Sequence, residues 1–219
     1  MNRKKFRAAV FDLDGTLLDT LYDLGACANK ALSLYGFPGH TREDYLTYIG
    51  NGIPRLIARA VPPGTGEEEI QKVLRFYLDY YPEHCADHTI YFPGVASCIA
   101  ELKRRGYALA VLSNKTESTS KKIIDHYFPD APFSVVWGNN GVRPLKPATD
   151  AGYLLLKELS CEPEEVFYLG DGDTDMEFAS RMGFFAAGAC WGYRPASVLK
   201  DCGADALFTS MEEILPYLP

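Results

Sequence analysis

The sequence is short of positive charge and has no long apolar run. Its 22 Lys and Arg stand against 29 Asp and Glu, a formal net charge of −7. Nucleic-acid binding takes clustered Lys and Arg to neutralise phosphates, so no such partner is expected. No stretch approaches the ~20 consecutive apolar residues of a membrane helix. After Met1-Asn2-Arg3-Lys4-Lys5-Phe6 the apolar residues 8–11 run straight into Asp12, too short a run for a signal-peptide core. Nor is there a C-x-x-C pair among the six cysteines, at 27, 85, 98, 161, 190 and 202. A disulfide-stapled secreted domain is smaller and denser in cysteine, and a zinc site has closer spacing. Most of these cysteines adjoin Ala or Gly, where a reduced thiol packs as a small hydrophobe. Six free thiols in a reducing cytoplasm are expected.

What is present suffices for a core. The 219 residues are 47% apolar, 23% charged and 13% aromatic, which excludes a disordered or fibrous chain and allows one large domain or two small ones. There is no internal repeat and no low-complexity segment. Short apolar runs recur at 8–11, 107–112, 133–137, 166–169 and 184–187, with a weaker one at 206–208. Near-continuous runs of this length predict strands buried on both faces, as in a parallel sheet. Helical patterns at 95–105, 118–127, 150–159 and 175–182 alternate with them. The result is an α/β fold with a doubly wound parallel sheet. The first strand breaks the rhythm. Residues 19–87 form apolar stripes at helical spacing, such as Leu21, Leu24, Ala28, Ala31 and Leu32. So long a connection is abnormal as a loop, and predicts a helical insert that could serve as a lid. Core segments 1–18 and 88–219 would flank this 19–87 cap, and Tyr91-Phe92-Pro93-Gly94 at its exit has the punctuation of a hinge or tight turn.

Four segments carry chemistry. Asp12-Leu13-Asp14-Gly15-Thr16 closes the first strand. Open α/β sheets bind ligands outside the carboxyl ends of their strands, although a lone Asp-x-Asp is also a common acidic turn. Gly170-Asp171-Gly172-Asp173-Thr174-Asp175 follows another strand. It is not a calcium loop, because Met176 stands where that loop needs Gly and Met182 where it needs Glu. A magnesium site, or a solvated acidic turn, fits better. If the two strands are neighbours, Asp12 and Asp171 converge. Leu112-Ser113-Asn114-Lys115-Thr116 offers a hydroxyl and amides ahead of a helix, an anion cradle or an ordinary N-cap by Ser113 or Thr116. Lys146, flanked by Pro144 and Pro147, either neutralises carboxylate and phosphoryl oxygens or is a solvated loop lysine.

Taken in order, strand-end Asp-x-Asp, strand-end Ser, loop Lys and Gly-Asp-x-x-x-Asp resemble the haloacid dehalogenase-like phosphohydrolase superfamily over essentially the whole chain. The insert resembles its type 1 helical cap. Residues 11–18 and 48–60 are similar to the bacterial phosphoglycolate phosphatase branch.

The resemblance implies that Asp12 is the nucleophile, forming an aspartyl-phosphate that water hydrolyses, and that Asp14 is the acid and base. It implies Mg²⁺ held by Asp12, the Asp14 backbone carbonyl and Asp171, with Asp175 a further ligand or an orienter behind them. Ser113 would bind a phosphoryl oxygen and Lys146 would stabilise the phosphoaspartate. Thr16, Asn114, Gly52 and Arg55 are the expected substrate contacts, and Arg55 or Arg59, spaced i and i+4, could clamp a substrate carboxylate or be solvated. Asp173 is expected to face solvent or stand behind the ligands. The dehalogenase branch lacks the second aspartate, and a phosphonatase needs a Schiff-base lysine where this cap has Lys30 and Lys72 on polar faces. His84 and His88 are spaced for a metal pair, but Cys85 stands where a zinc-protease motif needs Glu, so they are expected to be structural or solvated.

The expected substrate is a small phosphorylated metabolite, 2-phosphoglycolate first, for a monomer or homodimer. A pyrophosphatase, a sugar-phosphate phosphatase or phosphomutase, and a non-enzymatic phosphoacceptor or scaffold are the alternatives.

Overall fold

The chain enters its main sheet through four residues without a polar side chain, Ala8–Phe11 (β1), every one buried. The structure is a computed structural model that describes residues 6–130 and 133–219. Residues 1–5, which the sequence reading assigns to the core segment 1–18, lie outside the described residues.

After β1 come a two-residue strand, Leu18–Asp19 (β2), and four helices: Leu21–Leu34 (α1), Arg42–Tyr48 (α2), Ile53–Ala60 (α3) and Glu67–His84 (α4). Ile90–Tyr91 (β3) returns and pairs antiparallel with β2, Leu18 opposite Tyr91 and Asp19 opposite Ile90. The chain crosses into and out of the helical insert through this ribbon. Then follow Val95–Arg104 (α5), Ala108–Thr116 (β4), Glu117–Tyr127 (α6), Phe133–Asn139 (β5), Asp150–Leu159 (α7), Val166–Gly170 (β6), Asp173–Met182 (α8), Phe185–Ala189 (β7), Ala196–Asp201 (α9) and Ala206–Phe208 (β8).

The six-stranded sheet has the order β5-β4-β1-β6-β7-β8, and each neighbouring pair is parallel. Side chains alternate across it. Ala9 and Phe11 join one core with α5, α6 and the cap, while Ala8 and Val10 join the other with α7, α8 and α9. Both faces are covered, which is why these strands read as apolar runs rather than alternating ones. The chain moves outward from β1 to β4 and β5, then returns to β6 on the other side of β1. Phe11 lies opposite Val111 on one side and Leu169 on the other, so Asp12 and Asp171 leave the sheet at the same edge.

The cap helices follow from local signals and a shared apolar face. Thr41 and Asp44 form a capping box at the start of α2, and Glu67, Glu68 and Glu69 occupy the first turn of α4, where negative charge suits the helix dipole. Tyr45, Tyr77 and Tyr81 are fully buried between them. No helix among the described residues is long and apolar enough to cross a membrane.

Candidate active site

Three buried carboxylates, from Asp12, Asp171 and Asp175, place one oxygen each within 4.8 Å of the others. β1 and β6 deliver the first two; Asp175 comes from the first turn of α8, where its Oδ2 accepts from the Gly172 N–H at 2.9 Å. Set against the three carboxyl groups is one ammonium. Lys146 Nζ lies 2.7 Å from Asp12 Oδ1 and 2.6 Å from Asp175 Oδ1, and also donates to the Leu112 carbonyl and the Tyr168 hydroxyl. Burial pushes the Asp12 carboxyl up from 3.8 to about 7, against the pull of Lys146 and with Asp175 and Asp14 adding to the rise. Burial, then Asp12 and Asp175, holds Asp171 well above the ordinary carboxylate range. Burial opposes the charge of Lys146, but Asp12 and Asp175 outweigh it and its ammonium is held above its usual value.

With all three ionised, the carboxylates outweigh Lys146 by the charge of one hard divalent cation, and such a cation prefers oxygen donors of this kind. The donors are also held in place. Asp171 Oδ1 accepts from the Thr16 hydroxyl at 2.9 Å and its Oδ2 from the Tyr193 N–H at 2.8 Å. A Cβ on Gly15, whose φ is +88°, would stand 2.2 Å from Asp171 Oδ2. The expectation for Thr16 is thereby corrected. It is fully buried behind Asp171 and does not line the cavity, because its side chain is turned onto the carboxylate.

Asp14 lines the cavity beside this cluster. Its Oδ1 accepts from Thr20 Oγ1 at 2.6 Å and from Lys115 Nζ at 2.9 Å. Lys115, its side chain 1% exposed, also donates to the Tyr81 hydroxyl of α4 at 2.5 Å. Lys115 belongs to none of the expected site roles. The available signal was a lysine at the end of an apolar strand, where burial requires a partner. β4 continues to Thr116, so Ser113 lies within the strand and the reading of it as a helix N-cap does not hold. Ser113 Oγ accepts from the Lys115 N–H at 3.3 Å and, among the described residues, donates to none. Asn114 lines the cavity, yet its amide is committed: it donates to the Gly50 and Lys146 carbonyls and accepts from the Lys146 N–H. It fixes the lysine loop and the cap turn together.

From the cap, Leu24, Ile49, Gly50, Gly52, Ile53 and Leu56 close the cavity, leaving about 70 Å³. Arg55 does not line it. α3 turns Ile53, Leu56, Ile57 and Ala60 inward, which puts Arg55 on the exposed face, and Arg59 folds back onto the Tyr48 carbonyl and Asn51. The arginine at the cavity is Arg194, from the loop after β7. Asp173, 40% exposed at its side chain, also lines the cavity and faces Arg194 Nε at 3.5 Å. His84 pairs with Asp87 and His88 with Asp23, both with exposed side chains.

A strand-end carboxylate pair, a buried lysine and an acidic cluster thus gather under a helical lid. The sequence profile of haloacid dehalogenase-like hydrolases matches residues 9–189, and the chain belongs to that family. It is 32% identical to a phosphoglycolate phosphatase of Haemophilus influenzae over 98% of this chain and 99% of that one. A phosphoglycolate phosphatase of Aquifex aeolicus is 33% identical over 85% and 86%. Among solved structures, a predicted phosphoglycolate phosphatase from Haemophilus somnus superposes with a TM-score of 0.92 at 28% identity, covering 98% and 99%. CbbY from Rhodobacter sphaeroides, solved in complex with phosphate, gives 0.79 at 26%, covering 97% and 99%. Within the family the chain is a phosphatase.

Proposed function

We propose that this phosphatase hydrolyses a small phosphomonoester, 2-phosphoglycolate in the first place, by way of a phosphoryl group carried on Asp12. The observation that carries the reading is the meeting of Asp12, Asp171 and Asp175, with Lys146 bridging Asp12 and Asp175 and Asp14 on the cavity wall. Asp12, Asp171 and the Asp14 backbone carbonyl would hold Mg²⁺, with Asp175 orienting Lys146 behind them. When bound, the cation would offset the repulsion between the Asp12 carboxylate and the substrate's phosphate.

An Asp12 oxygen forms a bond to phosphorus as the bond to the leaving oxygen breaks, and Asp14 supplies that oxygen with a proton. Water then attacks phosphorus, Asp14 takes its proton, and the bond to Asp12 breaks to release phosphate. Lys146 balances the charge on Asp12 throughout, and the Ser113 hydroxyl is available to a phosphoryl oxygen. Thr16 and Asn114 serve by orienting Asp171 and the lysine loop. Gly52 brings the cap turn close, since a Cβ there would meet Leu145 Cδ1 at 3.1 Å.

The apolar cap side of the cavity, from Leu24, Ile49, Ile53 and Leu56, supports a small substrate enclosed against the carboxylates. The names of its relatives support phosphoglycolate. Six unpaired thiols support a reducing compartment such as the cytoplasm. A screen of small phosphorylated metabolites ranked by kcat/KM tests the proposal. Phosphoglycolate should rank well above p-nitrophenyl phosphate, EDTA should stop turnover, and Asp12→Asn should abolish it. A ranking no better than the aryl ester would remove the substrate assignment.

A further inference from the structure

The loop between β7 and α9 carries no motif, yet it touches the carboxylate cluster, the β2–β3 ribbon and the cap. The Trp191 indole donates to the Thr16 carbonyl at 3.0 Å, beside the nucleophile. The Tyr193 N–H holds Asp171, and the Tyr193 hydroxyl bonds to Thr20 N–H and to Asp19 at the ribbon where the cap begins. Arg194 then crosses from core to cap. Its Nη1 donates to the Leu46 carbonyl at 2.5 Å and its Nη2 to the Ile49 carbonyl at 2.8 Å, while Nε faces Asp173.

Leu46 lies in the last turn of α2, and Ile49 is the extended residue that caps its C-terminal end. The last carbonyls of a helix lack intrahelical partners and carry the negative end of its dipole, so they favour a cation. α2 has Glu43 and Asp44 in its first turn and no basic residue in its last. Arg59, from the cap itself, donates to the Tyr48 carbonyl at 2.9 Å; the cation that ties this helix end to the core is Arg194, 145 residues or more along the chain, a planar fork that meets two acceptors at once. Its side chain is 19% exposed, so the contact is largely shielded from water.

We propose that Arg194 is the positioning residue that seats the cap. The loop that orients Asp171 also grips the end of α2, so cap closure and the shaping of the carboxylate cluster are a single event. A small ester depends on that closure, because it is enclosed only when α2 and the Gly50–Gly52 turn are down. An aryl phosphate such as p-nitrophenyl phosphate, whose leaving group needs no proton and carries no carboxylate, depends on that closure less. The kinetic part rests on the phosphatase reading; the seating of the cap does not.

The test uses the full chain with Arg194→Met and Arg194→Lys. Hydrogen–deuterium exchange over residues 42–60 reports cap seating without turnover. Rates on phosphoglycolate and p-nitrophenyl phosphate report its consequence. With two charge-assisted bonds lost, Arg194→Met should exchange faster there, and its kcat/KM for phosphoglycolate should fall about tenfold or more relative to the aryl ester. Arg194→Lys, which keeps the charge but not the fork, should recover part of both. If the Met variant does not fold, the Lys variant alone should show the smaller change in each readout. Wild-type exchange in these variants, or an unchanged ratio of the two rates, overturns the proposal. Faster exchange in a protein whose wild type hydrolyses neither ester would overturn the phosphatase reading and leave the seating of the cap standing.

Discussion

Lys115 Nζ is 2.9 Å from Asp14 Oδ1 and 2.5 Å from the Tyr81 hydroxyl, so one buried ammonium joins the proposed acid and base to the cap. It holds the Asp14 carboxylate in place from beneath, with Thr20 as a second donor. Lys115→Met should leave Asp14 with one of those two anchors. Proton donation matters most when the leaving oxygen is basic, and general acid catalysis is typically worth roughly 10²–10⁴-fold. The variant should therefore lose at least about tenfold in kcat on an alkyl phosphate and far less on p-nitrophenyl phosphate, whose leaving group needs no proton. Asp14→Asn should show the same pattern more strongly. Equal losses on both esters would mean that Lys115 supports the fold and not the proton transfer.

The Asp12 carboxyl makes a second outcome measurable without turnover. Burial raises it from 3.8 to about 7 in the folded chain. Below about pH 4 it is protonated folded or unfolded, and contributes no penalty. As pH rises from about 4 to about 7 the unfolded chain releases this proton while the folded chain retains it, so stability falls; above about 7 the deficit is complete. Asp12→Asn lacks that group. In EDTA its Tm should match wild type near pH 4 and exceed it by about 5 °C or more at pH 8. Excess Mg²⁺ should narrow the gap by stabilising only the wild type. A difference between the two proteins that does not change with pH would show that the burial of Asp12 is not the cause.

What the sequence made legible is what local pattern can carry. Apolar runs at 8–11 and 166–169 coincide with β1 and most of β6, and the acidic motifs at their ends meet because those strands are neighbours. Other features depend on contacts distant in the chain. Arg55 and Arg194 are both arginines in ordinary surroundings, and only the inward turn of Ile53, Leu56 and Ile57 and the path of the loop after β7 decide which one reaches the cavity. Thr16 sits in the right motif but serves Asp171, a partner 155 residues away. The two-residue strands of the β2–β3 ribbon are too short for any periodicity to register.

Gly15 ties backbone shape to the carboxylate cluster. Its φ of +88° is one that side chains resist, and an added Cβ would fall 2.2 Å from Asp171 Oδ2 and 2.7 Å from the Tyr193 ring. Backbone strain in this region costs about 1–2 kcal/mol, a modest loss for a chain of this size. The overlap with Asp171 is the larger effect, because no rearrangement relieves it without moving either the carboxylate or the loop that holds it. In Gly15→Ala the Asp171 carboxylate should therefore be displaced while the fold persists. The Mg²⁺ concentration for half-maximal activity should rise about tenfold or more, as for loss of the groups that orient a metal ligand, with Tm lowered by a few degrees. Titration of activity against Mg²⁺ at saturating substrate reads this directly. A half-saturation point equal to wild type, in a variant whose Tm has dropped, would remove Asp171 from the proposed metal ligands and leave Asp175 as the partner of Asp12.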